Sequence, residues 1–212
     1  MNKKHIVCYG DSNTWGYCAA TNQRYEDDQR WTQLLQKSLG EAYLVAEEGI
    51  CGRTSVFEDP LEEGLCGLTH LATALGTHSP LDLLIVMLGT NDCKDRYSAT
   101  AQNIADGVKR LVQKAQLLPV WNGRPNILIV APVMIDGRVH TVPRIGGEMG
   151  EGCVKKSREL PELLKITASQ TGSEFMDCNP YVQVGSADWM HFDLDSQKRF
   201  AAALEEKVRT ML

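Results

Sequence analysis

The chain has no surplus of basic residues: 22 Lys and Arg stand against 27 Asp and Glu, a formal net charge of −5. A phosphate backbone or an anionic lipid surface needs a cationic footprint, so nucleic acid and membrane surfaces are poor partners and a small molecule is the better one. Long apolar runs are missing as well. Stretches such as Leu83 to Leu88 have strand length, far short of the roughly 20 residues that cross a bilayer. The N-terminal Met1-Asn2-Lys3-Lys4-His5 is basic but leads straight into a short apolar stretch and a glycine turn, with no apolar export core or small-residue cleavage site. Cysteine is present without a pattern: Cys8, Cys18, Cys51, Cys66, Cys93, Cys153 and Cys178 are odd in number and scattered, with no C-x-x-C pair. The expectation is reduced thiols in a cytoplasmic protein. There is no H-E-x-x-H, and His5, His70, His78 and His140 make no metal set, so neither metal nor cofactor is expected.

What remains is a chain of 212 residues with 43% hydrophobic residues, enough for one domain over 1–212 to bury a core without disulfide or metal support. Short apolar runs bounded by turn residues predict buried strands at Ile6 to Tyr9, Tyr43 to Ala46, Leu81 to Leu88 and Asn126 to Ala131, with a weaker fifth at Glu174 to Met176. Between them, i, i+3, i+4 apolar spacing predicts helices at Trp31 to Leu39, Ala101 to Leu118, Val154 to Ser169 and Gln197 to Leu212; His70 and His78 flank a further helical stretch. Strands alternating with helices imply an α/β fold: a single three-layer α/β/α domain around a five-stranded parallel sheet, with the ligand site at the carboxyl ends of the strands. Pro132 to Gly152 reads as a long irregular loop, of a length more often functional than idle.

Four segments at predicted strand ends carry chemistry. Strand one ends in Gly10-Asp11-Ser12-Asn13-Thr14-Trp15-Gly16, which lifts a serine hydroxyl to the sheet edge. Strand two runs into Glu48-Gly49-Ile50-Cys51-Gly52-Arg53-Thr54, a turn able to offer a backbone N–H; strand three ends in Leu88-Gly89-Thr90-Asn91-Asp92, with an asparagine amide. After strand five, Asp188-Trp189-Met190-His191 sets a carboxylate three residues before an imidazole. Each alone has an ordinary reading: a common turn, an Asx turn, a surface turn. Together they supply a nucleophile, its base, the base's orienting carboxylate and oxyanion donors, all at one edge, which is what acyl transfer requires.

Two rivals use the same segments. A cysteine nucleophile at Cys51 or Cys93 would leave Ser12 and Asn91 unexplained. A flavodoxin-like module would cradle a phosphate or flavin with Ser12, Asn13 and Thr14, yet Asp11 would repel a phosphate, no G-x-x-x-x-G-K-[ST] or G-x-G-x-x-G loop exists, and Asp188 and His191 would have no task.

The four blocks, in this order, resemble the SGNH (GDSL-type) hydrolase superfamily over essentially the whole chain. The run from Gly10 to Tyr17, Arg30-Trp31-Thr32, Glu47-Glu48-Gly49 and Pro80-Leu81-Asp82-Leu83 leading into Met87 to Asp92 are similar to its bacterial arylesterase/acyltransferase branch. The resemblance implies a flavodoxin-like SGNH fold and a serine esterase acting on short-chain carboxylic esters through a Ser12 acyl-enzyme, with acyl transfer to alcohols or peroxide as a further outcome and a carbohydrate O-acetyl deacetylase as the alternative. It makes His191 the base, Asp188 its partner, and Ser12 N–H and Asn91 oxyanion donors. Gly52 matches the backbone donor, with Gly49 its neighbour in register. Asp11 and Trp15 are expected at the substrate, and assembly into a homo-oligomer is expected. Asn13 departs from the usual Gly-Asp-Ser-Leu.

Overall fold

The computed structural model describes residues 3–212. In chain order its elements are β1 (Lys4–Gly10), α1 (Ser12–Trp15), β2 (Tyr17–Cys18), β3 (Gln23–Arg24), α2 (Trp31–Leu39), β4 (Tyr43–Gly49), α3 (Gly67–Thr77), β5 (Leu83–Met87), α4 (Ala101–Leu117), β6 (Ile127–Ala131), α5 (Pro143–Met149), α6 (Cys153–Thr171), β7 (Glu174–Asp177) and α7 (Leu194–Met211). Five strands form one parallel sheet in the order β4-β1-β5-β6-β7. The chain steps from β1 outward to β4 and then returns to the other side of β1 for β5. That reversal opens a crevice at the carboxyl ends of the three strands, the usual ligand position in such sheets.

The near-continuous apolar strands follow from burial on both faces. Val7, Tyr9, Leu84, Val86, Ile127 and Ile129 pack with Leu71 and Leu75 of α3, Val108 and Leu111 of α4 and Leu160 and Leu164 of α6. Their neighbours Ile6, Cys8, Leu83, Ile85, Leu128 and Val130 face Trp31 and Leu35 of α2 and Phe200, Leu204 and Val208 of α7. Period-2 alternation along each strand thus divides one sheet between two cores. Among the described residues no helix is long and apolar enough to cross a membrane.

Several boundaries differ from the sequence reading for identifiable reasons. β4 runs on through Glu47 and Glu48 to Gly49; Arg30 holds the Glu47 carboxylate through two bonds of 2.9 Å, so acidic residues sit in a strand that hydropathy ends at Ala46. α3 begins at Gly67 and includes His70, with His78 as its C-cap. α7 starts at Leu194, where the Asp193 carboxylate caps the Ser196 N–H at 2.7 Å. The segment Pro132 to Gly152 is irregular only at its two ends: its middle folds into a 3-10 turn at Gly137–Thr141 and then α5, opened by Pro143 in its first turn.

β4 meets the α1 turn at Gly49, where any Cβ would lie 2.2 Å from the Trp15 backbone nitrogen. Gly49→Ala is therefore expected to push α1 off the sheet edge, costing about 1–3 kcal/mol by overpacking and most of the turnover. Gly147→Ala, where a Cβ meets nothing within 4 Å, is expected to leave both unchanged or to stabilise slightly. Urea midpoints and kcat for the two variants check this.

Candidate active site

β1 delivers the serine. Asp11 caps α1, accepting the Asn13 N–H at 3.0 Å, and Ser12 is the first residue of that single helical turn. Its Oγ lies 2.7 Å from His191 Nε2, and His191 Nδ1 lies 2.5 Å from Asp188 Oδ2. The other Asp188 oxygen accepts the backbone N–H groups of Met190 and His191, each at 3.1 Å. A carboxylate on Nδ1 selects the tautomer with the proton there, which leaves Nε2 to accept from the serine hydroxyl. The three side chains belong to residues only 4 to 7% exposed. Burial by itself raises the Asp188 carboxyl; the bond and charge of His191 and the two N–H donors outweigh it and hold the group below the ordinary carboxylate value.

The Asp188 turn is bent by Trp189, a non-glycine residue at φ 63°. Such a backbone persists where its surroundings fix it: the Trp189 carbonyl accepts from Asp136 N–H at 3.0 Å, its N–H donates to Gly185 O at 2.9 Å, and the Arg138 guanidinium stacks 3.6 Å from its ring. Tyr17 of β2 packs against the imidazole with ring centroids 4.6 Å apart.

β5 and β4 bring the amide donors. Asn91 follows the turn at Gly89 and opens a 3-10 segment at Asn91–Cys93; its Nδ2 donates to the Arg53 carbonyl at 3.1 Å, leaving a second N–H free. Gly52 sits at φ +87° in the preceding turn, and no acceptor among the described residues takes its N–H. Arg53 clamps that turn: Nη1 donates to the carbonyls of Gly10, at 3.0 Å, and Glu48, and the guanidinium lies 4.2 Å from the Tyr9 ring centroid. Asp92, buried beside Asn91, accepts from the Ser55 N–H and hydroxyl; burial pushes its carboxyl up to about 6 against those bonds.

Ser12, Gly52, Asn91, Asp188 and His191 all line one cavity of about 510 Å³, and Gly49 does not. Two residues expected at the substrate do not line this cavity. Asp11 is 1% exposed and outside the cavity wall, with burial raising its carboxyl; its place is under α1, as the cap. Trp15 is half-buried and also off the wall, facing the Arg24 guanidinium at 5.3 Å. Of the cysteine alternatives, Cys93 is fully buried and off the cavity wall, with burial lifting its thiol well above its usual value, while Cys51 lies exposed on the wall with its thiol raised to about 11 by partial desolvation and the Asp11 carboxylate, so neither is poised as a thiolate.

Asn13 has a task that the sequence left open. Its Oδ1 accepts the Phe192 N–H at 2.9 Å and its carbonyl accepts Trp31 Nε1 at 2.9 Å, tying the serine turn to the residue after His191 across 179 positions. A leucine there could not make the first bond.

A hydroxyl, an imidazole and a carboxylate in line at the edge of a parallel sheet, beside unpartnered N–H donors, have the layout of a serine acyl-transfer enzyme. The model of the GDSL-like Lipase/Acylhydrolase family matches residues 8–199. The chain belongs to that family and is a carboxylic ester hydrolase, which removes the phosphate or flavin module as a rival. The native aryl esterase of M. smegmatis is 34% identical, with TM-score 0.92 over 99% of this chain and 100% of that one. A carbohydrate acetylesterase family member from Sinorhizobium meliloti is also 34% identical, with TM-score 0.91 over 99% of each chain. A G-D-S-L family protein from Veillonella parvula, 17% identical over 97% and 99% of the two chains with TM-score 0.66, shares the fold. No curated protein matches the sequence.

Asn13→Leu is expected to lower kcat on the order of ten- to a hundredfold with KM nearly unchanged, because the Phe192 N–H is orphaned and His191 loses its register; steady-state kinetics on any turned-over ester reads this. The depressed Asp188 carboxyl gives a stability prediction. Its contribution is present above the unfolded value of about 3.9 and is lost as pH falls through the lower folded value. The stability gap between wild type and Asp188→Asn, measured by denaturation, should therefore close on acidification below that point and stay open above it.

Proposed function

We propose that the chain hydrolyses short-chain carboxylic esters, aryl or alkyl acetates foremost, through an acyl-enzyme on Ser12. The observation that carries this is the line Ser12 Oγ, His191, Asp188 at 2.7 and 2.5 Å, opening into the cavity that Asn91 and Gly52 also line. Ser12 Oγ attacks the ester carbonyl carbon while its proton passes to His191 Nε2, and Asp188 stabilises the resulting imidazolium. The carbonyl oxygen, now an anion, is received by the N–H groups of Ser12 and Gly52 and by Asn91 Nδ2. His191 returns the proton to the departing alkoxide. Water, activated by the same imidazole, then releases the acid and restores Ser12; an alcohol or peroxide in water's place would give acyl transfer.

A carbohydrate O-acetyl deacetylase is the second reading, favoured by Asn22, Glu62, Arg144 and Glu148 on the cavity wall, a polar lining suited to hydroxyl groups. The chain is also proposed to self-associate; a sedimenting mass of 23.5 kDa would remove that.

The test is hydrolysis of 4-nitrophenyl esters from acetate to octanoate by wild type, Ser12→Ala and Asn91→Ala. Activity on the shortest chains, abolished in the serine variant and lowered on the order of 10² to 10³ in kcat by loss of the amide donor, is the expected result. Activity retained without Ser12 would place the nucleophile elsewhere, and an Asn91→Ala kcat within about threefold of wild type would remove Asn91 from the oxyanion site.

A further inference from the structure

Asp92 and Ser55 are fully buried and neither lines the cavity, yet each stands close in sequence to a group that does. Asp92 follows Asn91, and Ser55 comes three residues after Gly52. The Asp92 carboxylate accepts the Ser55 N–H, at 2.9 Å to Oδ1 and 3.1 Å to Oδ2, and its Oδ1 also accepts the Ser55 hydroxyl. Beside this contact, Asn91 Nδ2 donates to the Arg53 carbonyl at 3.1 Å. The two turns that carry the amide donors are thus joined by two rungs, Asn91 to Arg53 and Ser55 to Asp92. The Ser55 side is fixed to the helices: its carbonyl accepts the Leu68 N–H at 2.9 Å, the Thr54 carbonyl accepts the Gly67 N–H at 3.0 Å where α3 begins, and a Cβ on Gly107 of α4 would lie 2.7 Å from Ser55 Oγ. The Asn91 side is a three-residue 3-10 turn with no side-chain cap. One Asn91 N–H and the Gly52 N–H must converge on a single developing oxyanion, a geometry that a shift of about 1 Å between the turns would spoil.

Resting on the Ser12 esterase reading, we infer that Asp92 is a positioning residue of the oxyanion site: by holding Ser55 it sets the spacing between the Asn91 amide and the Gly52 N–H, and so acts on the transition state without touching the substrate. The bond pattern says which replacements can stand in for it. The Ser55 N–H and hydroxyl both reach Oδ1, so the amide oxygen of an asparagine can accept the two together, whereas an alanine accepts neither and leaves the buried Ser55 donors unpaired.

The experiment is a double-mutant cycle on 4-nitrophenyl acetate with wild type, Asp92→Ala, Asn91→Ala and the two combined, alongside Asp92→Asn, Ser55→Ala and a Ser12→Ala control. Inhibition by phenyl trifluoromethyl ketone is read in parallel, because Ser12 Oγ adds to its carbonyl carbon, the proton passes to His191 and the carbonyl oxygen becomes the anion that the donors receive. Asp92→Ala is expected to lower kcat about tenfold or more with KM within about threefold, to weaken the ketone by a similar factor, and to be largely rescued by Asp92→Asn. In the Asn91→Ala background, where the spacing no longer matters, adding Asp92→Ala should cost no more than about threefold. Equal losses in both backgrounds would make Asp92 a general structural support and overturn the inference, as would unchanged ketone affinity or no loss of kcat. Should Asp92→Ala not fold, Ser55→Ala, which removes the hydroxyl bond alone, is read through the same cycle. An Asn91→Ala variant as fast as wild type would bring down the oxyanion assignment, and full activity in Ser12→Ala the esterase reading, each taking this inference with it.

Discussion

The contact of 2.5 Å between His191 Nδ1 and Asp188 Oδ2 decides which imidazole nitrogen is free to take a proton, and much of the surrounding architecture serves to hold it in place. The two residues lie three apart, on a turn bent by the positive φ of Trp189. That turn is pinned from below by Gly185, whose N–H donates to the His191 carbonyl at 2.8 Å, and from the side by Asn13 through Phe192. The partner of the imidazole comes from the opposite end of the chain. β1 lies inside the sheet with β4 on one side and β5 on the other, so the turns that follow these three strands meet without any long excursion of the backbone. The topology, rather than any one residue, brings Ser12, Gly52 and Asn91 together, and the loop after β7 then adds His191.

The polar groups beneath the site balance opposing demands. Asp188 is held ionised by its partners despite burial, whereas Asp92 is raised to about 6 because burial outweighs the Ser55 bonds. Their linkage to pH has opposite sign. The Asp188 contribution is lost on acidification, and that of Asp92, present below the unfolded value near 3.9, is lost as pH rises through its folded value. A carboxylic acid under the Asn91 turn is thus easiest to bury where it is protonated, while the carboxylate behind His191 is held ionised by its hydrogen bonds and by the imidazole.

Much of this was legible in the sequence because the chemistry needs particular residue types at strand ends. Ser12, Asn91, Asp188 and His191 stand just after runs whose apolar character predicts buried strands, and the alternation of strands with helices predicts the parallel sheet. What could not be read is either too short to leave a period or settled at long range. The two-residue strands β2 and β3, which bring Tyr17 beside the imidazole, show no alternation. α5 contains Gly146 and Gly147, poor helix formers, and tertiary packing of Met149 overrides their propensity. The partner of Asn13 is 179 positions away and leaves no mark in the motif, and proximity to Ser12 in sequence does not say that the side chains of Asp11 and Trp15 turn away from the cavity wall.

The central claim, that His191 held by Asp188 activates Ser12, is tested most directly by labelling with a fluorophosphonate, which reports an activated serine without regard to substrate choice. Mass spectrometry of the labelled protein should find a single adduct on Ser12, with the labelling rate falling by orders of magnitude in His191→Ala. An adduct on another residue, or undiminished labelling of Ser12 without His191, would contradict the account.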